Sequence, residues 1–305
     1  MLPTLRQLQY LKLLVEHGSF SRAADAAHVT QPTLSAGVQE LEKVLGAPVV
    51  DRGRAGVILT AVGEEAVRRG NEILARADDL VQASRSAGQP LTGRFRLGVI
   101  PTVAPFLLPR ALPVLRSRFP ELRLYLREDL THRLIAALRS GALDAALIAL
   151  PYETTGLETA LVETDALLAA MPDGHRLTRS NSVSASDLEG DELILLEDGH
   201  CLREHVLATC GLEPPPRAWA GEDSVIAATS LHTLVQMVGS GLGVSLVPAM
   251  AVDAGLAKSA AVSIRPLNGD PPSRDIVVAW RAGSSRGPEG ALLAEAMRAQ
   301  AGSVQ

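Results

Sequence analysis

Seven residues, Ala87-Gly-Gln-Pro-Leu-Thr-Gly93, divide this 305-residue sequence into two regimes of apolar periodicity. Two glycines and a proline so close together interrupt helix and strand alike. Before them the apolar residues recur mostly at helical spacing. After them short apolar runs of strand length alternate with helical patterns. A hinge at 88–93 is therefore the first constraint on the fold, and the length suits two or three compact units.

The N-terminal part reads as short helices followed by a long one. Leu8, Leu11, Leu14 and Val15 make an apolar stripe that Gly18 ends. Ser19 is placed to cap a second helix over 20–27. Thr30 is placed to cap a third, which starts at Gln31-Pro32, buries Leu34, Val38, Leu41 and Leu45, and ends at Gly46. Residues 49–51 and 57–59, with Gly53 and Gly56 between them, predict a small β-wing. From Ala61 to Arg85 a proline-free pattern outruns most globular helices and suits a connector or dimer helix.

The second and third helices have helix-turn-helix spacing, and Ala23, Ala24 and Ala27 are small enough to let them pack closely. The third would enter the major groove with its first turn, Gln31-Pro32-Thr33 and Ser35. Gln bonds adenine bidentately, and Ser or Thr bonds bases or phosphates. Arg22, Arg52 and Arg54 are candidate phosphate contacts. On spacing alone, a plain three-helix packing module remains open.

Beyond the hinge, strands are predicted at 95–100, 122–126, Ala145–Leu150, 166–171, 193–196, 244–247 and 276–280. Helices are predicted at 105–118, 131–140, 201–209, 231–238 and 289–298. Such alternation implies parallel sheets covered by helices. The composition, 47% hydrophobic and 21% charged, excludes disorder or coiled coil over the whole length. No apolar run approaches the roughly 20 residues of a membrane span, and the N-terminus lacks the apolar core of a signal peptide. A cytoplasmic protein is expected. A net charge of −5 still allows a small DNA-binding unit on an acidic body.

Only two cysteines are present, Cys201 and Cys210, which excludes a disulfide scaffold and a four-cysteine zinc site. With His200 and His205 they match no common zinc spacing, so no metal is expected. Cys201 falls at a predicted helix start after Asp198-Gly199, where the helix N-terminus and a nearby cation favour thiolate. His200 and Arg203 are close in sequence, although Arg203, two positions on, does not face Cys201 on a regular helix. A thiolate attacks a peroxide O–O bond to give sulfenic acid, which a second thiol can resolve. Across a helix the two sulfurs would sit on opposite faces with Cα atoms roughly 13 Å apart, whereas a disulfide needs about 7 Å or less. Oxidation to a disulfide would have to unwind the segment. On the residues alone, two inert buried thiols remain the alternative.

The run Gly18-Ser-Phe-Ser-Arg-Ala-Ala-Asp-Ala-Ala-His-Val-Thr-Gln-Pro-Thr-Leu-Ser35, with Leu41-Glu42, Leu45-Gly46, Leu59-Thr60 and Gly63, resembles the N-terminal signature of LysR-type transcriptional regulators. Past the first turn of the third helix, where that family often has basic residues, this chain has Val38, Gln39 and Glu40. Glu197-Asp-Gly-His-Cys-Leu-Arg203 with Cys210, Ile100-Pro-Thr-Val-Ala-Pro-Phe-Leu-Leu-Pro109, Ala228-Thr-Ser-Leu231 and Leu246-Val-Pro-Ala249 resemble the hydrogen-peroxide-sensing branch of the family.

The resemblance implies a winged helix-turn-helix over 1–60, a linker helix over 61–87, and an effector domain over 94–301. That domain would have two Rossmann-like α/β halves, about 94–163 with 269–301 and about 164–268, resembling periplasmic binding proteins. It further implies that Cys201 is peroxidatic and Cys210 resolving, with Thr102 and Thr131 beside the peroxide and Arg274 stabilising the thiolate. Read alone, both threonines are equally placed as helix caps. The implied partners are double-stranded DNA with paired half-sites, hydrogen peroxide as signal, and further copies of the chain in a homotetramer. A cellular dithiol such as a glutaredoxin or thioredoxin would be the reductant, with no dissociable cofactor and no enzyme activity. A LysR-type regulator that binds a small organic metabolite between the two halves is the alternative.

Overall fold

The computed structural model describes residues 2–51, 57–85, 90–212, 227–269 and 271–301. The chain forms two compact units, one built on the residues up to Gly88 and the other on most of the chain beyond it. Among the described residues no helix is long and apolar enough to cross a membrane.

In the first unit, α1 (Leu5–His17) starts with a capping box between Thr4 and Gln7 and stops at Gly18. Helix α2 (Phe20–Ala26) comes next, without a side-chain cap from Ser19. Helix α3 (Gln31–Leu45) is capped by Thr30, whose hydroxyl accepts from the Thr33 amide, and ends at Gly46. Leu8, Leu11, Leu14, Ala23, Ala24, Leu34, Val38 and Leu41 close a core among the three helices. Two residues read as core face outward: Val15 and Leu45 are exposed. Strands β1 (Val50–Asp51) and β2 (Ile58–Leu59) pair antiparallel as the wing. The long helix α4 (Ala61–Arg85) then begins where the Thr60 hydroxyl accepts from the Gly63 amide and donates to the Pro48 carbonyl. A Cβ on Gly63 would stand 1.9 Å from the Val49 carbonyl oxygen, so only glycine allows this approach of helix to wing.

The second unit opens with β3 (Gly93–Val99), α5 (Ala104–Arg118), β4 (Leu122–Glu128), α6 (Thr131–Arg139) and β5 (Ala145–Leu150). β3 lies between β4 and β5 and is parallel to both. A 16-residue strand, β6 (Leu157–Pro172), comes next. The remaining elements include β7 (Leu195–Leu196), α7 (Cys201–Thr209), β8 (Ala227–Ala228), α8 (Leu231–Gly239), β9 (Ser245–Pro248) and α9 (Ala249–Asp253). The chain closes with β10 (Val262–Pro266), β11 (Ser273–Arg281) and α10 (Gly287–Ala301).

The expectation of purely parallel sheets is corrected here. β11 inserts between β5 and β6 and is antiparallel to both, while β9 and β10 run antiparallel to the far stretch of β6. The connection from β5 to β6 is too short for a helical crossover, so those strands cannot be parallel neighbours. β6 also begins well before the apolar run at 166–171. Its first stretch alternates exposed and covered positions and carries Glu158, Thr159, Glu163 and Thr164, which hides it from an apolar count. One strand therefore serves both halves of the unit: residues 157–166 pair with β11, and 167–172 with β9 and β10.

Candidate functional site

Helix α7 begins at Cys201 and ends at Thr209, with Cys210 as its C-cap. The turn before it is fixed by Gly199, whose φ is +94° and whose absent Cβ would lie 2.9 Å from Leu130. Both cysteines are free thiols, Cys201 buried and Cys210 partly so. The hydrophobic flank of α7, with Leu202, Val206 and Leu207 buried, holds Cys201 away from solvent.

Beside Cys201 lies a buried polar cluster. Arg274, on β11, is 1% exposed. It donates to Asp165 Oδ2 from Nε at 3.0 Å and from Nη2 at 2.9 Å. Its Nη1 donates to the Thr102 hydroxyl at 2.9 Å, and Nη2 to the Thr102 carbonyl at 3.1 Å. The Thr131 hydroxyl is buried without a well-formed hydrogen bond, yet it is close enough to the sulfur to favour thiolate. Burial pushes the Cys201 thiol above its ordinary pKa; the Arg274 charge and Thr131 pull it back only in part. Burial likewise raises Cys210.

One residue placed near the thiol by sequence takes another role. Arg203 is turned away from the sulfur: Nη1 donates to the Leu196 carbonyl at 3.0 Å, and Nε pairs with Asp198 at 3.1 Å. Two positions along a helix is a different face, so the guanidinium braces the turn instead of the thiol. His200, the N-cap of α7, has its pKa lowered by burial, opposed by Glu197. Among the described residues no group of three or more His, Cys, Asp or Glu could hold a metal ion.

In the first unit, Gln31, Pro32 and Thr33 are exposed on the first turn of α3 and Ser35 is half-buried, with Arg22 exposed on α2. The Thr33 hydroxyl also bonds the Thr30 hydroxyl at 2.8 Å, so it is shared between cap and surface. Val38 is part of the core. Arg52 and Arg54 lie outside the described residues.

Residues 5–64 match the bacterial regulatory helix-turn-helix proteins of the lysR family, and residues 88–302 match the LysR substrate binding domain. The chain belongs to the LysR family of transcriptional regulators. This LysR regulator is 39% identical to the DNA-binding transcriptional dual regulator OxyR of Escherichia coli K12, over 97% of this chain and 95% of that protein. It is 41% identical to the HTH-type transcriptional regulator EstR of Acinetobacter baylyi, over 84% of this chain and 83% of that one. A full-length OxyR from Pseudomonas aeruginosa, solved as a cysteine-to-aspartate variant, superposes with a TM-score of 0.79 at 34% identity, covering 98% of this chain and 95% of that one. A hydrogen-peroxide-bound OxyR from Corynebacterium glutamicum, solved as a cysteine-to-serine mutant, has a TM-score of 0.65 at 30% identity, covering 98% and 93%.

The effector domain of this LysR regulator contains a cavity of about 400 Å³ beside the thiol cluster. Thr102, Phe106, Asp129, His200, Ser230 and His232 are among the residues that line it. Phe106 and His232 stack with ring centroids 5.8 Å apart.

Sequence reasoning missed Asp165, the partner of Arg274, and Tyr152, a neighbour of the thiol. Asp165 gives no motif: it follows Glu163-Thr164 in the polar first stretch of β6 and carries no local signal that sets it apart. Tyr152 is raised in pKa by burial and then by the charges of Glu204 and Cys201, which places it near the sulfur. His205 on α7 is half-buried, and its Nε2 lies 3.2 Å from the Pro151 carbonyl oxygen.

Proposed function

We propose that this LysR regulator senses hydrogen peroxide through Cys201 and converts its oxidation into a change of the effector domain. The observation that carries the proposal is a buried thiol at a helix start, beside Arg274, Thr102 and Thr131, with a second thiol at the other end of the same helix. The names of the OxyR relatives support the signal. In the reaction, the Cys201 thiolate attacks one peroxide oxygen, giving sulfenic acid and hydroxide. The Cys210 thiol then displaces the sulfenic oxygen as water and leaves a Cys201–Cys210 disulfide. Thr131 and Thr102 position the peroxide, and Arg274 supports the thiolate. A cellular dithiol, such as a glutaredoxin or thioredoxin, takes up the disulfide and returns both thiols. Helix α3 reads operator DNA through Gln31, Thr33 and Ser35, with Arg22, Arg52 and Arg54 on phosphates. A homotetramer, joined through the linker helix and the effector domains, addresses paired half-sites.

The test is intact mass and free-thiol count of reduced protein before and after a near-stoichiometric pulse of peroxide. Loss of two thiols and two hydrogens, reversed by a dithiol, is expected. Two thiols that stay free overturn the proposal.

A second reading is favoured by the 400 Å³ cavity with its Phe106–His232 stack: a small organic effector bound there, with the thiols incidental. Such a regulator would keep its response in the Cys201→Ser protein, whereas a peroxide sensor loses it.

A further inference from the structure

Asp165 stands where β6 changes partners. It is directly opposite Arg274 in the β6–β11 register, and two residues further on Leu167 already pairs with β9. Its two carboxylate oxygens are divided. Oδ2 accepts both guanidinium bonds from Arg274, and Oδ1 accepts from the Met250 amide at the start of α9, at 2.9 Å. Asp165 is 3% exposed, and the carboxylate and guanidinium have almost no water around them. A buried ion pair of this kind is neutral as a unit, so its positive member acts on a neighbour as half of a dipole and not as a bare charge.

Three consequences meet at the thiol. Without Asp165 the guanidinium has no partner across the sheet to hold it against the Thr102 hydroxyl. With Asp165 ionised, most of the guanidinium charge is compensated before it reaches Cys201. The Met250 bond ties the carboxylate to the second half of the effector domain, so a shift of α9 is felt at Arg274.

We propose that Asp165 is a positioning residue for the redox chemistry of Cys201: it holds Arg274 on Thr102 and limits how much positive charge the sulfur feels. The inference rests on Cys201 being the reactive thiol.

The experiment is the pH profile of Cys201 alkylation by iodoacetamide in the full-length reduced protein, read by peptide mass so that Cys210 is tracked separately. In Asp165→Asn the carboxylate charge is gone and Arg274 stays. The Cys201 midpoint should fall by about one pH unit or more, which is tenfold more thiolate below the midpoint, while the Cys210 midpoint does not move. Asp165→Glu should return the profile toward that of the unaltered chain. An unchanged Cys201 midpoint in a folded Asp165→Asn protein overturns the proposal. If an unpaired buried arginine prevents folding, the double variant D165L/R274M removes both charges together, and because the pair is nearly neutral as a unit the midpoint should move by well under one pH unit; a rise of about one unit or more there would show an uncompensated guanidinium and also overturns the proposal. Alkylation does not involve peroxide. A failure of peroxide sensing would therefore show as a Cys201 that peroxide leaves reduced, whatever the alkylation profiles do.

Discussion

Cys201 is the first residue of α7 and Cys210 is its C-cap, so one helix holds the two free thiols apart. Nine helical residues separate their Cα atoms by roughly 13 Å and put the side chains on opposite faces. A disulfide between them and an intact α7 are mutually exclusive.

Peroxide should therefore speed amide hydrogen exchange across α7 in the unaltered chain but not in Cys210→Ser. The latter should retain a sulfenic acid at Cys201, detectable as one added oxygen or as a dimedone adduct. Equal exchange protection in reduced and oxidised protein would show that no disulfide forms within this segment.

The raised pKa of Cys201 fixes the pH dependence of its reaction. Its thiolate fraction climbs about tenfold per pH unit until the raised pKa is reached, so the rate of peroxide consumption should keep rising above about pH 8.5, where an ordinary thiol begins to level off. Linkage runs the other way. Both thiols hold their protons more tightly folded than unfolded, so their contribution to stability is complete below about pH 8.5 and is lost as pH rises through the folded values. Urea midpoints of reduced protein near neutral pH and about two units or more above it check the sign.

The two threonines should separate cleanly. Thr131→Val removes a hydroxyl with no well-formed bond of its own, so stability should hold or rise while peroxide reactivity falls by about 10²-fold. Thr102→Val removes the acceptor of Arg274 Nη1 and should cost about 1–3 kcal/mol of stability as well. Thermal unfolding paired with stopped-flow peroxide kinetics distinguishes the two patterns.

Gly63→Ala places a methyl against the Val49 carbonyl and should destabilise the DNA-binding unit by about 3 kcal/mol. Exchange protection in α1 to α3 should fall while that of β3 and β5 is kept.

On DNA, Arg22→Ala should weaken binding about equally on all sequences and lower the salt slope by about one, whereas Gln31→Ala should relax discrimination at single base positions. A uniform loss from Gln31→Ala would assign that side chain to the backbone instead of the bases.

By itself the sequence determined the local elements. Capping residues, glycine stops and apolar spacing set α3, α4 and α7 nearly to the residue, and the end of α1 at Gly18, because those signals act within one or two turns of the chain. The motifs around Gly18–Ser35 and Glu197–Cys210 also determined the family and singled out the two thiols. Everything that depends on residues far apart in the chain was decided by tertiary structure. The antiparallel insertion of β11 and the double use of β6 come from strand pairing between residues as distant as Asp165 and Arg274. That pairing alone sets Arg274 opposite Asp165, 109 residues away, and brings it to Thr102, 172 residues away. Arg203 shows the reverse case: two positions from Cys201 in sequence, it is turned to another face by the helix. The physical reason is the same in each instance. Helix signals are local, whereas the charge a buried sulfur feels is set by whatever the sheet brings within a few ångströms of it.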